Sequence, residues 1–513
     1  MLRYTSSKQI ELFEFEHPFK VELDPSNRWV KLSKILPWDE LVSIYSKSLS
    51  SREGRYGIDG RLAVGSLIIK HRLNLSDREV IATLQENIYL QYFVGFKGFK
   101  KEKAFDASLF VHLRRRLGSE AFDSMTQSII SISERAKQSN KKPPKRGEGK
   151  DTRVKVKEVK NKGKLKIDAT VADQMIEYPT DHNLLSRARE ESERIIDLLY
   201  KGSDLKKKPR TYRRTARNEY LSFSKKRSKS RKVIRKAVGK QLRYLRRNLG
   251  HIDNLQSKFV LKEYALTNRD EKILFVIREL YRQQLEMYQE KKHSVKDRIV
   301  NIYQPYVRPI PRGKAKSRTE FGAKLGVSLV NGFSRISNIS WDAYHEGADL
   351  EKQVEEYKTL YGYYPEVVLA DKAYLTRENR KYLKGLEIRV TGSPPGRPPK
   401  NESYYQKAKK RKEHRERNHI EGKFGQGKNA YGLSKIRARR QDTSESWIAT
   451  IFFVMNLVNY EKLWHLFSFY FVSASKRAEY WLSKRICSII TKYFPKHRLK
   501  FAGFELSFSA NPN

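Results

Sequence analysis

The run Leu165-Lys-Ile-Asp168-Ala-Thr170 reads as a β-strand set apart from every other strand-like segment of the chain. A stretch rich in Lys, Gly and Pro precedes it over 138–164, and a helical pattern follows it over roughly 182–298. Strand-like runs resume at Val300-Asn-Ile-Tyr303, Leu325-Gly-Val-Ser-Leu-Val330, Ile336–Trp341 and 366–371. A mixed sheet gathering these runs can bring two acids together, because Asp168 and Asp371 are each expected to end an apolar strand. A third acid, Glu421, sits in the later segment Arg417-Asn-His-Ile-Glu421-Gly-Lys-Phe-Gly-Gln-Gly-Lys428.

These acids are conspicuous because the chain is so basic. Lys and Arg number 106 against 58 Asp and Glu, leaving a formal charge of +48. A field of that sign attracts polyanions, with nucleic acid the first expectation and a solvated basic surface or anionic lipid the alternatives. The length of 513 residues suggests two or three domains, and 38% hydrophobic residues are enough for a core. The single Cys487 excludes an intrachain disulfide framework and a cysteine zinc cluster. The first residues lack the apolar core of a signal peptide. Trp447–Val472 is apolar but interrupted by Asn456, Asn459, Glu461, Lys462 and His465, so a buried helix is expected there rather than a membrane span.

Residues 1–37 read as a loosely structured arm with aromatic anchors, and 38–137 as helical. Ser76-Asp-Arg-Glu79 is a capping box opening a helix through Glu86. Asp106 is expected to cap a helix over Ala107–Leu117, stopped by Gly118. Its apolar stripe (Leu109, Phe110, Leu113, Leu117) lies opposite Ser108, His112, Arg115 and Arg116, an arrangement like a helix-turn-helix. Lys206–Arg247 holds about nineteen Lys and Arg with one acid, Glu219, and interleaved Tyr212, Tyr220, Phe223 and Tyr244. That composition suits phosphate neutralisation with occasional stacking, the alternative being a solvated helix face. Further helices are expected at 349–361, Thr376–Leu383, 403–422 and 443–465, a short strand at Leu386–Val390, and a Pro/Gly loop over 391–402.

Two strand-end carboxylates and a third on a helix are what two Mg²⁺ ions need in order to activate one oxygen of a phosphodiester and neutralise another. His414, Arg417, Glu421 and Lys428 are spaced 3, 4 and 7 residues apart, near one helix face. Each of Gly422, Gly425 and Gly427 costs about 1 kcal/mol inside a helix, so a break is expected after Glu421. Asp173, Glu177, Asp181 and Asp349 are competing metal-ligand candidates.

Together these segments resemble the DDE motif of bacterial insertion-sequence transposases, in the group whose glutamate lies in a Tyr-x2-Arg-x3-Glu-x6-Lys signature. Arg417-x3-Glu421-x6-Lys428 fits that spacing, with His414 at the tyrosine position. Phe321-Gly-Ala-Lys324 and His345-Glu-Gly-Ala-Asp349 are similar to two segments that the group carries between its aspartates, and Gly60–Gly118 is similar to its amino-terminal domain. The resemblance implies an α/β fold: an RNase H-like mixed-sheet catalytic core over 164–465, interrupted by a basic helical insertion at 182–298. A helical DNA-binding domain at 1–137, a basic linker at 138–163 and a tail at 466–513 complete it. It also implies Asp168, Asp371 and Glu421 as catalytic metal ligands for two Mg²⁺ ions, with Mn²⁺ as a substitute. DNA contacts are expected from Arg417, Lys428, His414, Arg115, Arg116 and Lys324. The implied partners are double-stranded transposon ends and target DNA, bound by a homo-oligomer in the cytoplasm at the nucleoid, with no membrane. The implied reaction is hydrolysis at the element's end followed by in-line attack of the freed 3′-hydroxyl on target DNA. The alternatives are a catalytically inactive or repurposed relative that only binds DNA, and a basic RNA-binding protein.

Overall fold

A computed structural model describes residues 22–49, 57–139, 161–258, 266–311, 319–391 and 403–465. The expected linker at 138–163 and Pro/Gly loop at 391–402 fall almost wholly outside these residues, as does the tail at 466–513. The chain divides into two compact units, 1–457 and 458–513. Of the second, residues 458–465 are described, and they are helical.

Among the described residues the first unit opens with seven helices: α1 (Arg28–Ile35), α2 (Trp38–Ser46), α3 (Gly60–Arg72), α4 (Asp77–Glu86), α5 (Ile88–Phe93), α6 (Leu109–Arg116) and α7 (Ser119–Ser139). The expected arm is corrected by α1, which Asn27 caps and which buries Trp29, Val30 and Leu32. Trp29 and Trp38 both pack edge-on to Phe93. The capping box forms as read, Ser76 accepting from the Glu79 N–H while the Glu79 carboxylate accepts from Ser76 N–H. Helix α6 starts two residues later than expected, because Asp106 spends its carboxylate on the Ser108 N–H in the turn before it.

A charged knot anchors these helices. Lys70, 1% exposed, lies 2.8 Å from Asp77, and Arg114 grips the same carboxylate with two bonds of 2.9 and 2.7 Å. Both cations lie over the Trp447 ring, at 4.4 and 5.0 Å from its centre. Trp447 belongs to a helix that starts at 441, α15, so a buried ion pair and one indole join the amino-terminal helices to the end of the unit.

The sheet follows. Strand β1 (Lys164–Asp173) is central, antiparallel to β3 (Thr319–Val330) on one side and parallel to β5 (Val367–Leu369) on the other. Beyond β3 lie β2 (Pro309–Pro311) and β4 (Phe333–Ser340), and beyond β5 lies β6 (Arg389–Val390), parallel to it. Asn331 and Gly332, both at positive φ, close the tight β3–β4 hairpin. The edge at β4 is covered by α15, where buried Asn456 accepts from the Ser334 N–H at 2.8 Å and donates to its carbonyl at 2.7 Å. The amide that interrupts this apolar helix therefore pairs a strand edge. Among the described residues no helix is long and apolar enough to cross a membrane.

Between β1 and β2 the described residues form four helices, α8 (Asp181–Lys201), α9 (Arg213–Ser224), α10 (Arg231–Lys258) and α11 (Asn268–Glu290). Helices α8, α10 and α11 share a core of their own, built from Leu185, Ile196, Leu245, Ile252, Ile277 and neighbours. Val300–Tyr303 is not the strand expected. Ile299 and Ile302 face that helical core, and Asn301 turns the chain by accepting from the Tyr303 and Gln304 N–H groups. The remaining elements are α12 (Leu350–Tyr361), α13 (Arg377–Gly385) and α14 (Tyr404–Ala430). The expected break after Glu421 does not occur, and α14 runs unbroken to Ala430. A capping box at Ser403 and Gln406 starts the helix, and Phe424 and Gly427 bury its late turns. A Cβ on Gly427 would come within 3.2 Å of Leu433, so tertiary packing outweighs the glycines' low propensity.

The knot gives a stability prediction. Asp77→Asn removes the carboxylate shared by two buried cations and should lower unfolding free energy by about 3 kcal/mol. An unfolding free energy from denaturant titration within about 1 kcal/mol of wild type would mean the knot contributes little.

Candidate active site

Asp168 lies in the middle of β1, not at its end as expected, facing Val327 of β3. What ends near it is the parallel ladder. The last β1–β5 pair is Lys166 with Leu369, and continuing that register by two residues sets Asp371 opposite Asp168. Asp371 is exposed, just past the end of β5, and its carboxylate accepts from the Lys372 N–H at 2.7 Å. Helix α14 packs across β1 and β5 with Ile420 and Phe424 buried beneath it. One turn apart on that helix, Arg417 and Glu421 are 3.0 Å from each other, and the Arg417 guanidinium reaches to 4.0 Å from Asp168.

Asp168 is 15% exposed and accepts from the Ala169 N–H at 2.8 Å. Burial pushes its carboxyl up to about 6, and the Glu346 and Glu421 charges add to that, while the Ala169 N–H and Arg417 oppose it. Glu421 is 53% exposed and turned toward Arg417. Among the described residues no three His, Cys, Asp or Glu side chains lie close enough together to hold a metal ion.

Glu346 is the acid that sequence reasoning passed over. It sits in the 3₁₀ turn Glu346–Asp349, 3.1 Å from Lys324. The signal lay inside the His345–Asp349 segment, where Asp349 was the more conspicuous acid. Asp349 is instead structural: it is buried, takes bonds from Asn338 (2.9 Å) and the Tyr344 hydroxyl, and presses on Gly326, where a Cβ would lie 2.2 Å from its Oδ2. Tyr374 closes the site from below. Its hydroxyl is buried with no partner among the described residues, and burial, with the Glu346 and Asp168 charges, holds it well above the usual phenol range.

The other expected residues separate into groups. Lys428 lies 3.6 Å from Asp173 and 3.5 Å from Glu320, at the far ends of β1 and β3. Asp173 is five residues beyond Asp168, roughly 17 Å along the strand. Lys324 is nearly buried, donating to the Tyr344 carbonyl at 2.8 Å as well as meeting Glu346. His414 is exposed on α14, and Arg115 and Arg116 are exposed on α6. The competing acids are engaged elsewhere: Asp173 with Lys428, Glu177 with Arg187, and Asp181 with Arg298. A cleft of about 450 Å³ lined by Asp123, Arg335, Lys352, Glu356 and Glu445 includes none of the three acids.

Two family models match the chain. Residues 368–458 match one described as "Transposase DDE domain", and residues 17–116 match one described as "Transposase domain (DUF772)". The first span includes Asp371 and Glu421 but not Asp168, whose association with them rests on strand register. A curated relative, "Uncharacterized protein ORF8 in nfe locus" from Rhizobium meliloti, is 29% identical over 169 residues, covering 32% of this chain and 71% of that protein. No solved structure matches.

The Asp168 environment predicts a pH-dependent stability. The folded state holds this proton up to about pH 6, whereas an unfolded aspartyl releases it near 3.8. Between those values the folded state binds more protons, so the stability contribution falls as pH rises and the cost is complete above pH 6. Asp168→Asn should therefore raise metal-free stability by about 2–3 kcal/mol at pH 8 and by little at pH 4. Equal melting shifts at both pH values would show that the ionised carboxylate is not strained.

Proposed function

We propose that this chain, which belongs to the DDE transposases, is the transposase of an insertion sequence, binding the element's terminal inverted repeats and catalysing DNA cleavage and strand transfer. The observation that carries the reading is the β1–β5 register, which extended by two residues makes Asp168 and Asp371 neighbours beside the helix that bears Glu421. A central strand with one antiparallel and one parallel neighbour, β4 and β6 outermost, supports an RNase H-like core.

The three acids fit a divalent cation by donor chemistry. All offer oxygen, the ligand type Mg²⁺ prefers, and Asp168 is desolvated and lacks a full counter-charge. Asp168, Asp371 and Glu421 would hold two Mg²⁺ ions, or Mn²⁺ as a substitute. Bound there, the ions would supply Lewis-acid polarisation of the phosphate and a lower pKa for the attacking oxygen.

The chain's own residues do the positioning. The Ala169 N–H fixes the Asp168 carboxylate, and the Lys372 N–H fixes that of Asp371. Arg417 bridges Asp168 and Glu421, restraining the helix-borne acid and offering positive charge to a DNA phosphate. Lys324 acts through Glu346, which makes it a positioning residue in this reading. Exposed His414, Arg115 and Arg116 remain available to the duplex, whereas Lys428 ties two strand ends together. The reaction joins two DNA ends, so the working form is a homo-oligomer on DNA, acting at the nucleoid in the cytoplasm.

The test is divalent-cation-dependent cleavage of a duplex carrying the DNA that flanks this gene. Asp168→Asn, Asp371→Asn and Glu421→Gln should each lower cleavage by roughly 10²–10³-fold or more while keeping end binding. In the wild type alone, Mg²⁺ or Mn²⁺ should raise the melting temperature at pH 8. Duplex binding without cutting, in wild type and variants alike, would favour a repurposed DNA-binding relative.

A further inference from the structure

Helices α9 and α10 carry a basic surface that the acid site does not use. Helix α10 buries Val238, Leu242, Leu245, Leu249, Ile252 and Leu255 against the inserted core. On its open side Lys232, Lys236, Lys240, Arg243 and Arg247 follow one another at spacings of four, four, three and four residues. That spacing makes one stripe, about 22 Å long at 1.5 Å per residue. Lys240 is held by Glu219 at 2.6 Å, whereas Lys232, Lys236, Arg243 and Arg247 meet no carboxylate among the described residues.

Helix α11, in the same bundle, is what a merely solvated face looks like. There Arg282 lies between Glu279 (2.6 Å) and Glu286 (3.0 Å), so the signs alternate. Helix α10 does the opposite. Its like charges repel at successive i, i+4 positions, and its first turn has Arg231 and Lys232 but no acid, against the helix macrodipole. Folding alone gains nothing from that arrangement.

A second feature fixes two of the cations. Tyr212, in the left-handed conformation at φ 54° and ψ 28°, caps the start of α9 and sets its ring beneath Arg210 and Arg247, at 4.6 and 4.5 Å. The two guanidiniums share an aromatic ring instead of a carboxylate, which orients them without neutralising them. A left-handed tyrosine is uncommon and costs free energy that the stacking helps to offset.

We infer that the α9–α10 face of the insertion is a second DNA-binding surface that grips the phosphate backbone of a duplex without reading its sequence. Its side chains are the phosphate-binding kind, and its length spans about a dozen duplex charges at one per ~1.7 Å. The inference rests on the transposase reading and adds a contact surface to it.

The experiment measures binding of the full chain to an end-bearing and a random-sequence duplex across a salt series. The variant is the quadruple Lys232→Gln, Lys236→Gln, Arg243→Gln, Arg247→Gln, and the control is Arg282→Gln in the same bundle. The expected result is a log–log salt slope shallower by about 3 to 4, the same fractional loss of affinity on both duplexes, and no change for Arg282→Gln. A quadruple variant with unchanged slope, folded by its melting curve and still cutting ends, would overturn this inference and leave the transposase reading standing. Loss confined to the end-bearing duplex would overturn the sequence-independent grip. Loss of binding to anionic phospholipid vesicles with duplex binding intact would assign the surface to lipid instead. A wild type that binds neither duplex would overturn both readings together.

Discussion

The short parallel ladder between β1 and β5 is the contact on which the rest of the arrangement turns. It is three residue pairs long, yet it decides whether Asp371 stands beside Asp168 or a residue away from it. Its register is pinned by burial, because Leu165, Ile167, Val367, Val368 and Leu369 are all buried. A slip of one residue would send the β1 side chains to the opposite faces and put Ile167 or Ala169 where Asp168 now stands. The eight β1–β3 pairs on the other side, Lys166–Leu329 through Asp173–Gly322, hold β1 against such a slip. Gly322 contributes directly, since a Cβ there would come 1.9 Å from the Ala172 carbonyl oxygen.

The electrostatics follow from that placement. A strand and a helix bring the Asp168 and Glu421 carboxylates near Arg417, with a third acid, Glu346, close enough to raise the Asp168 pKa, and Arg417 offsets only part of that charge. Asp168 carries the consequence, because it is the most enclosed of them. A fold selected for stability alone would fill such a position with an apolar residue or give it a full ion pair. In a chain of +48 the local excess of acid is the more telling, since cations to neutralise it are abundant elsewhere in the sequence.

Much of this was legible from periodicity and caps. The Ser76 box, the helix over 350–361, the helix expected over Thr376–Leu383 and the strand at 367–369 stand within a residue or two of their sequence reading. The failures share a cause, which is tertiary context overriding a local signal. Three glycines did not break α14 because Phe424 and Gly427 are buried. Val300–Tyr303 looked like a strand because buried β-branched residues serve helical cores equally well. The region before Trp38 looked loose because α1 is short and amphipathic over only two turns. Local sequence allowed the pairing of Asp168 with Asp371 without fixing it, since a register set across a long insertion leaves no trace in local composition. Glu346 lay in plain view in the His345–Asp349 segment, but its nearness to Asp168 is likewise set by tertiary packing.

The inserted helices explain why the sheet tolerates so long an interruption. The bundle has its own apolar core, so it makes no demand on the packing of the sheet. It departs after Asp173, the last residue of β1, and the chain returns at β2, whose Pro309 pairs with Phe321 of β3, next to Gly322, the register partner of that same Asp173. Departure and return therefore lie side by side, the geometry in which an insertion perturbs its host least. Closing the longer loop adds only a slowly growing entropic cost, since each doubling of length costs about 0.6 kcal/mol. Lys428 reinforces the junction, because it meets both Asp173 and Glu320 where the two strands meet. The helix that bears Glu421 thus also braces the base of the insertion, seven residues and roughly 10 Å farther along. A force applied to the inserted bundle by bound DNA would reach the acid site along both β1, which bears Asp168, and this helix.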